Sequence, residues 1–326
     1  MEWRLEAVAG PSWLWPGPQG DSEAAATARH PAAAGGSREG RLGRHRVSGW
    51  ADSAALRALC ALLCASVIAP LMAPAWAFRF GRLLQRGSHG RDVKALEIRV
   101  AGWLPAHGQK RVVIDRRFGR RTARAVAGFQ RTHGLAADGI AGSHTFRSLH
   151  RIEDRDGSTA HFNWGEFKQH RNSGCPSSAN RHAGTFKGGA VRALKVRNNV
   201  RRVMWRLEAM RAKGGHGPIE VVSGFRSRRY NACVGGAGAS QHLYGTGVDI
   251  KMHGVSSRRA RRLAKRTHFQ GIECYSSTSH NHLDLRAENK ALRKYRHWWW
   301  PKRDRSGRHL ASDGRPCIGE KARRTF

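Results

Sequence analysis

Acidic residues are scarce in this chain of 326 residues: Asp and Glu number 23, against 59 Lys and Arg, which gives a formal net charge of +36. An apolar run long enough to cross a bilayer is also missing, because the longest, Ala58 to Met72, is shorter than the roughly 20 residues that a membrane span needs. Zinc-finger spacing, an RNA-recognition aromatic motif and a basic region continuing into heptads are absent. We therefore expect acidic partners, no specific nucleic acid and no stable membrane span.

The remaining composition is that of a folded protein. Hydrophobic residues make up 40% of the chain, with 11 Trp, 11 Phe and 38 Gly, which suits about two compact, turn-rich domains. The first 77 residues carry 7 basic and 6 acidic residues, so +35 of the charge lies after them. Such an excess attracts any polyanion, and anionic wall polymers fit it as well as nucleic acid does.

The apolar run has the flanks of a signal peptide. Basic residues precede it, and Ala75-Trp76-Ala77 follows as a small-x-small cleavage site, which predicts a mature start near Phe78. We assign residues 47–77 to the signal peptide and residues 1–46 to a disordered leader or to sequence upstream of the true start, at Val47 or nearby. A buried core helix is the alternative. Export predicts a secreted, wall-associated protein.

Export also changes the meaning of cysteine. Cys60 and Cys64 would leave with the signal peptide, and four cysteines would remain in an oxidising space: Cys175, Cys233, Cys274 and Cys317. Two disulfides are expected, with all three pairings open. The chain has no CxxC pair that would suggest a zinc ribbon.

Residues 78–150 contain an internal repeat. Asp115-x-x-Phe118-Gly119-x-x-Thr122 recurs as Asp138-Gly139-Ile140-Ala141-Gly142-x-x-Thr145. In each copy the Asp and Gly favour a tight turn, and the polar residues that follow suit a cap for the next helix. Apolar spacing predicts a small three-helix unit, with helices around Val93 to Val100, Ala123 to Gln130, and Phe146 to Leu149.

This segment resembles the peptidoglycan-binding domain found on many bacterial wall hydrolases. The motifs are Gly87-Ser88-x-Gly90-x-Asp92-Val93-x-x-Leu96, Asp115-x-x-Phe118-Gly119-x-x-Thr122-x-x-Ala125-Val126-x-x-Phe129-Gln130, and Gly134-Leu135-x-x-Asp138-Gly139-Ile140-x-Gly142-x-x-Thr145. Arg116 stands where the family usually has Gly. The resemblance implies peptidoglycan as a partner, and a spacer that binds nothing is the alternative.

A second domain is predicted over residues 161–301, after a polar linker at 151–160 and before a basic tail at 302–326. Apolar residues spaced by three and four, from Val196 to Met210, mark one face of a long helix that stops at Gly214. Alternating segments predict strands at 219–222, 248–252 and 282–285, with a helix from Ser256 to Thr267 between two of them. The fold class is α+β, an antiparallel sheet with helices.

Polar side chains on two of these strands favour a metal site. His280, His282 and Asp284 share one face of the last strand, and Asp249 faces away from its apolar neighbours. His242 precedes Asp249 by seven residues, across two glycines that let the chain turn back. Two His and one Asp suit catalytic zinc, which takes three protein ligands and keeps one position open.

Together these residues resemble the zinc D-alanyl-D-alanine carboxypeptidase family, which includes vancomycin-resistance dipeptidases and phage endolysins. The motifs are Ser240-x-His242-x-x-Gly245-x-Gly247-x-Asp249, His280-x-His282-x-Asp284, Ser223-Gly224-Phe225-Arg226-Ser227 and Tyr230-Asn231. The resemblance implies one zinc ion, bound by His242, Asp249 and His282. It also implies that Arg226 faces the substrate and that Ser240 hydrogen-bonds it. A structural ion pair is the alternative for Arg226, which the scarcity of acidic residues disfavours.

The general base is the point at which this chain departs from the family. Ser279 stands where many members carry a Glu or Asp, so the role passes to His280, as in the secreted actinobacterial members. Its ordinary pKa of about 6.5 suits proton transfer near neutrality. Asp284 is expected to orient a ligand rather than to bind the metal. A distant carboxylate such as Glu273 is the alternative base.

These inferences converge on an exported zinc metallopeptidase that hydrolyses D-alanyl bonds in peptidoglycan stem peptides, as a carboxypeptidase, a cross-link endopeptidase or both. The binding domain would keep it near its substrate. We expect a monomer whose partners are peptidoglycan and anionic wall polymers. The competing functions are a non-catalytic peptidoglycan-binding zinc protein and a polyanion binder explained by charge alone.

Overall fold

The computed structural model describes residues 78–105, 110–168, 175, 186–292 and 300–318, all within one compact unit. The predicted leader, signal peptide and cleavage site lie outside the described residues. None of the helices in the described ranges is both long and apolar enough to cross a membrane.

The first half of this unit consists of three short helices: α1 (Arg91–Val100), α2 (Arg120–Thr132) and α3 (Ser143–His150). Their apolar positions form one core, in which Leu96, Val126, Phe129 and Leu149 have no exposed surface. The spacing of three and four along each helix places these side chains on one face. The predicted three-helix unit is confirmed.

The predicted side-chain caps in this half are wrong. Gly119 and Gly142 occupy the N-cap positions of α2 and α3, and neither helix has a side-chain cap hydrogen bond. Thr145 is buried instead, and its hydroxyl accepts a hydrogen bond from Gln130 Nε2 at 3.1 Å. Gln130 Nε2 also donates to Asp138 Oδ1 at 2.7 Å. The polar residues of the repeat therefore join helix to turn rather than cap the helix that follows.

Arg116 adopts the conformation that its family position requires. Its φ of 72° lies in the left-handed region, which costs a non-glycine residue about 1–2 kcal/mol. The Glu97 carboxylate supports the turn, since Oε2 accepts the backbone N–H groups of Asp115 and Arg116 at 3.1 Å each. The turn forms despite the missing glycine.

The second half is an α+β domain, as predicted. Its elements are α4 (Ala193–Lys213), β1 (Ile219–Ser223), α5 (Arg228–Cys233), β2 (Gly247–Met252), α6 (Ser257–Arg266), β3 (Gly271–Cys274) and β4 (Asn281–Asp284). The sheet is antiparallel throughout, in the order β1-β2-β4-β3. The sequence analysis did not predict β3, which begins with a glycine and contains one strongly β-forming residue, Ile272.

One face of this sheet is apolar. Val248, Ile250, Ile272 and Leu283 are buried in a single cluster with the apolar face of α4. Because side chains alternate along a strand, the residues between them point to the other face. That second face is polar and carries the candidate site.

The two halves share a core. Trp205 and Ala209, both on α4, are fully buried among the apolar side chains of the first half. A Cβ added at Gly102 would lie 2.5 Å from the Ala209 Cβ, so the close approach requires glycine there. Lys213 Nζ donates to the Gly102 carbonyl at 2.8 Å. The first half therefore packs directly on α4, the long helix of the second half.

The segment between the halves is ordered by a buried ion pair. Arg99 of α1 pairs with Glu153, and both side chains are at most 3% exposed. Ser158 and Thr159 are also buried. Residues 151–160 thus connect the halves through packed, polar contacts.

Two disulfides settle the pairing that the sequence left open. Cys175 pairs with Cys233, and Cys274 pairs with Cys317. The second bond ties the C-terminal tail to the end of β3, next to the hydrogen bond from Ile318 N to the Tyr275 carbonyl at 3.0 Å.

Candidate metal centre and its cavity

A tight helical turn positions His242. Ser240 Oγ accepts the backbone N–H of His242 at 3.4 Å, which caps the turn Gln241–Tyr244. Gly245 then reverses the chain with φ of 68°, and a Cβ there would lie 2.8 Å from Val196. The reversal leads into β2, so His242 reaches the polar face of the sheet.

Strand register places four polar residues in one row across that face. Ser223 of β1 is paired with Asp249 of β2, Asp249 with His282 of β4, and His282 with Glu273 of β3. Directly paired residues of antiparallel strands point to the same side, with their Cβ atoms about 5 Å apart. The row therefore presents hydroxyl, carboxylate, imidazole and carboxylate groups side by side.

Three of the predicted residues converge on one point. One ligand atom each from His242, Asp249 and His282 lies within 4.8 Å of the others. His242 Nε2 is 3.0 Å from His282 Nδ1, which is 2.9 Å from Asp249 Oδ1. All three residues are buried. Among the described residues, this is the group whose geometry suits a metal ion.

In each histidine, the ring nitrogen that points away from the centre forms a hydrogen bond with a neighbouring oxygen. His242 Nδ1 donates to the Gly224 carbonyl at 2.6 Å, and His282 Nε2 donates to Asp284 Oδ2 at 3.3 Å. When both rings are neutral, the inward nitrogens carry lone pairs beside the Asp249 carboxylate oxygen. Three electron-rich atoms this close need a cation between them. Two His and one Asp, each oriented by a further hydrogen bond, fit zinc.

The electrostatics describe the charge that the protein atoms alone favour at this centre. Burial lowers the pKa of His242 and keeps its ring neutral. Burial alone would raise the pKa of Asp249, but the charges and hydrogen bonds of His242 and His282 outweigh it and hold the value well below normal. Burial opposes charge on His282 too, yet hydrogen bonds to Asp249 and Asp284 raise its pKa to about 9. The protein atoms alone thus place one positive charge on His282, between Asp249 and Asp284, and a bound metal ion would take the place of its Nδ1 proton.

A cavity of about 460 Å³ opens over the centre. His242 and His282 line it, together with Ser240, Glu273 and Tyr275. Two guanidinium groups also line it, from Arg226 and Arg286. The lining thus combines two cations with one carboxylate beside the ligands.

Arg226 does form an ion pair, so the argument from scarce acidic partners was wrong. Its Nη2 lies 2.6 Å from Asp249 Oδ2, and its Nε donates to Ser223 Oγ at 3.0 Å. Both partners belong to the row across the sheet. Arg226 is therefore held against the Asp249 carboxylate while it also lines the cavity.

Asp284 contacts His282 but does not belong to the group of three converging side chains. Its carboxylate accepts from His282 Nε2 and from Arg286 NH2, the latter at 2.6 Å. Burial would raise its pKa, but these partners lower it to about 2. Asp284 is thus a charged carboxylate that fixes the orientation of the His282 ring.

His280 lies one residue before β4, and its ring packs against Tyr275 with centroids 4.6 Å apart. Its Nε2 is 3.3 Å from Thr278 Oγ1. Burial lowers its pKa, and Asp249 and Arg226 act on it in opposite directions. The ring is therefore neutral near pH 7.

Sequence analysis missed Tyr275, whose hydroxyl lies 3.5 Å from Asp249 Oδ1. Glu273 and Tyr275 alternate with Cys274, and both line the cavity. That two-residue alternation was the available signal, but it was too short to identify a strand.

Comparison with known proteins identifies both halves. Residues 176–284 match the family model Peptidase M15, and residues 90–149 match a putative peptidoglycan binding domain. The zinc D-Ala-D-Ala carboxypeptidase of Streptomyces albus G is 41% identical over 167 residues, which cover 51% of this chain and 60% of that protein. The resemblance inferred from the motifs is confirmed.

Other relatives match shorter stretches. The N-acetylmuramoyl-L-alanine amidase CwlM of Mycobacterium tuberculosis (strain ATCC 25618 / H37Rv) is 40% identical over 67 residues, covering 21% of this chain and 16% of that protein. This chain therefore spans less than two thirds of either curated relative.

Two solved structures are also similar to parts of the chain. The SleB N-terminal domain is 32% identical, with coverage of 22% of this chain and 94% of that chain and a TM-score of 0.19. A fused Zn-dependent amidase/peptidase/peptidoglycan-binding protein from Clostridium acetobutylicum ATCC 824 is 26% identical, covering 26% and 36%, also with a TM-score of 0.19.

Proposed function

We propose that this chain, which carries a Peptidase M15 domain and a peptidoglycan-binding domain, is a zinc-dependent D-Ala-D-Ala carboxypeptidase acting on peptidoglycan stem peptides. The main observation in support is that His242, Asp249 and His282 converge beneath a cavity lined by two arginines. These three residues are the proposed zinc ligands. Bound zinc would acidify water and polarise the scissile carbonyl.

The remaining site residues hold the ligands and the substrate. Asp284 orients the His282 ring through Nε2, and the Gly224 carbonyl does the same for His242. Arg226 is the proposed partner for the negative charge of the substrate, because its guanidinium lines the cavity. Ser240 lines the same wall and is the proposed hydrogen-bonding residue for the peptide.

His280 is the proposed general base. Its neutral ring can accept a proton near pH 7, as the role demands. Glu273 is the competing candidate, because it lines the cavity and is paired across the strands with His282. Replacing each residue separately distinguishes the two.

The two arginines of the cavity favour a free chain end as substrate. Arg226 pairs with Asp249 and Arg286 with Asp284, and a guanidinium group has five N–H donors, more than one carboxylate takes up. A terminal carboxylate can satisfy such cations, whereas an internal peptide bond brings no charge of its own. Release of a terminal D-alanine is therefore the proposed main activity, and cleavage of cross-links is the second activity to measure.

The proposed setting is outside the cell, at the wall. Two disulfides and a peptidoglycan-binding half suit an exported protein, and the predicted signal peptide would provide the export. We propose a binding domain at 78–150 and a peptidase domain at 161–301. Sequencing the N-terminus of the secreted protein tests export: Phe78 or a close neighbour is expected, and Met1 would contradict it.

The test of function is a product analysis. The purified full chain is incubated with a synthetic stem pentapeptide and with intact peptidoglycan, with and without a chelator, and the products are measured by mass spectrometry. Zinc-dependent release of D-alanine supports the proposal, and conversion of cross-linked dimers to monomers would add endopeptidase activity. Binding to peptidoglycan without any product would favour the non-catalytic alternative.

A further inference from the structure

A second cavity, of about 500 Å³, lies between α6 and the segment Trp300 to Arg303. It is separate from the metal centre and shares no lining residue with that cavity. Six cationic side chains line it: Arg258, Arg261, Arg262, Lys265, Arg266 and Arg303. Its described lining contains no Asp or Glu. We call this cavity the basic groove.

The sequence of α6 builds one wall of the basic groove. Arg258, Arg262, Lys265 and Arg266 are spaced by four, three and one residues, which places them along one side of the helix. Ala260, Leu263 and Ala264 are buried on the side facing the domain core. The helix spans ten residues without an acidic side chain, so no neighbour within it compensates the charge.

The opposite wall is aromatic. The Lys265 ammonium lies 3.5 Å from the centroid of the Trp300 ring, and Pro301 lies beside it. Burial and the nearby Arg303 charge both lower the pKa of Lys265. A partly desolvated ammonium over an aromatic ring is a defined contact rather than a freely moving surface lysine.

The groove is also anchored from below. Arg261 is buried, and its Nη1 donates to Ser257 Oγ at 2.8 Å and to Asn281 Oδ1 at 3.1 Å. Asn281 begins β4, the strand that carries His282. The floor of the groove is therefore fixed by the sheet.

We propose that the basic groove binds a linear phosphodiester polymer of the cell wall. The proposal rests on the proposed function for its location at the wall. A ten-residue helix is about 15 Å long, so cations along it meet several successive charges of one polymer rather than a single anion. A guanidinium group can bind two oxygens of one phosphate, and several such groups along one helix face suit a polymer with repeated phosphates. The probe is purified poly(glycerol phosphate), the chemistry of a wall teichoic acid.

The test compares two triple variants of the full chain. In the groove variant, Arg262, Lys265 and Arg266, all exposed, become Gln. The control variant removes the same charge from the exposed surface of α2 by replacing Arg120, Arg124 and Arg131 with Gln. Gln is a good helix former, so both variants should fold, and thermal unfolding checks this.

The groove variant should lose affinity for poly(glycerol phosphate) by about 10- to 100-fold, and the slope of log K against log salt should fall by about 2. The control variant should change affinity by less than about threefold. Activity on a soluble pentapeptide should be unchanged in both, because neither set of residues lines the cavity over the metal centre.

Two outcomes would overturn the proposal. Equal losses in both triple variants would mean that diffuse charge, not the groove, binds the polymer. Tighter binding of a DNA oligonucleotide than of poly(glycerol phosphate), lost in the groove variant, would assign the groove to nucleic acid instead. If the wild type released no D-alanine but still bound the polymer more tightly than the groove variant, the proposed enzymatic function would be contradicted and the proposed binding by the groove would be supported.

Discussion

Replacing Trp205 with Ala should uncouple the two halves of the protein. The Trp205 side chain is fully buried in the core of the binding half, although it belongs to the long helix of the other half. It packs against Trp103 at 6.4 Å between ring centroids, and the Arg99 guanidinium lies 5.6 Å from its ring. One residue thus joins an aromatic contact and a buried cation.

The expected cost follows from the size of the cavity. Truncation of a buried Trp to Ala destabilises a protein by about 3–5 kcal/mol. Domains of this size are stable by about 5–15 kcal/mol, so the loss is a large part of the total. The Arg99 guanidinium, which is paired with Glu153, would also lose the aromatic ring that it packs against.

The assay is denaturant unfolding of the full chain, followed by tryptophan fluorescence and by circular dichroism. The wild type should unfold in one transition seen by both probes, whereas Trp205→Ala should give two, with the binding half unfolding first. Leu194→Ala is the control, because Leu194 lies on the same helix and is 65% exposed. Two transitions in the wild type, or a cost below about 1 kcal/mol, would refute the shared core.

Three further predictions concern single residues. His280→Ala should lower the catalytic rate by about 100- to 10,000-fold while zinc stays bound, as kinetics and metal analysis would show. A normal rate in His280→Ala, together with a loss of that size in Glu273→Gln, would assign the base role to Glu273 instead. Asp284→Asn should weaken zinc affinity by about 10- to 100-fold in a competition titration with a chelator, since His282 loses the carboxylate that orients it, and an unchanged affinity would contradict that role. Burial raises the pKa of Glu97 to about 8, although the hydrogen bonds from the backbone N–H groups of Asp115 and Arg116 act in the opposite direction. The folded protein therefore binds more protons than the unfolded one between about pH 4.5 and 8, so unfolding free energy should fall by at most about 1.4 kcal/mol per pH unit as pH rises through that window. Glu97→Gln should flatten this dependence in unfolding curves measured at several pH values.

Much of the architecture was predictable because it depends on local periodicity. The apolar steps from Val196 to Met210 correspond to the buried face of α4, and alternation around Val248 and Leu283 matches β2 and β4. The candidate ligand His282 was identified from the polar face of β4. His242 and Asp249 were identified from the glycines that let the chain turn back between them. These patterns need no knowledge of which strands are neighbours.

What sequence reasoning missed depends on neighbours. Glu273 was named only as an alternative base, and Tyr275 was not identified at all, because both residues come near the site through the pairing of β3 with β4. The Arg226 ion pair arises because β1 and β2 are adjacent, whatever the overall scarcity of carboxylates. The burial of Trp205 in another half is likewise a tertiary fact, hidden within a helical pattern that looks complete without it.

The central claim is that His242, Asp249 and His282 hold one zinc ion that is required to release D-alanine. The most direct measurement determines, on the same preparations, zinc per chain and D-alanine released from a stem pentapeptide, for the wild type and His282→Ala. The account predicts one zinc and steady release in the wild type, and loss of both in the variant. Full zinc retention by His282→Ala, or D-alanine release without zinc, would contradict it.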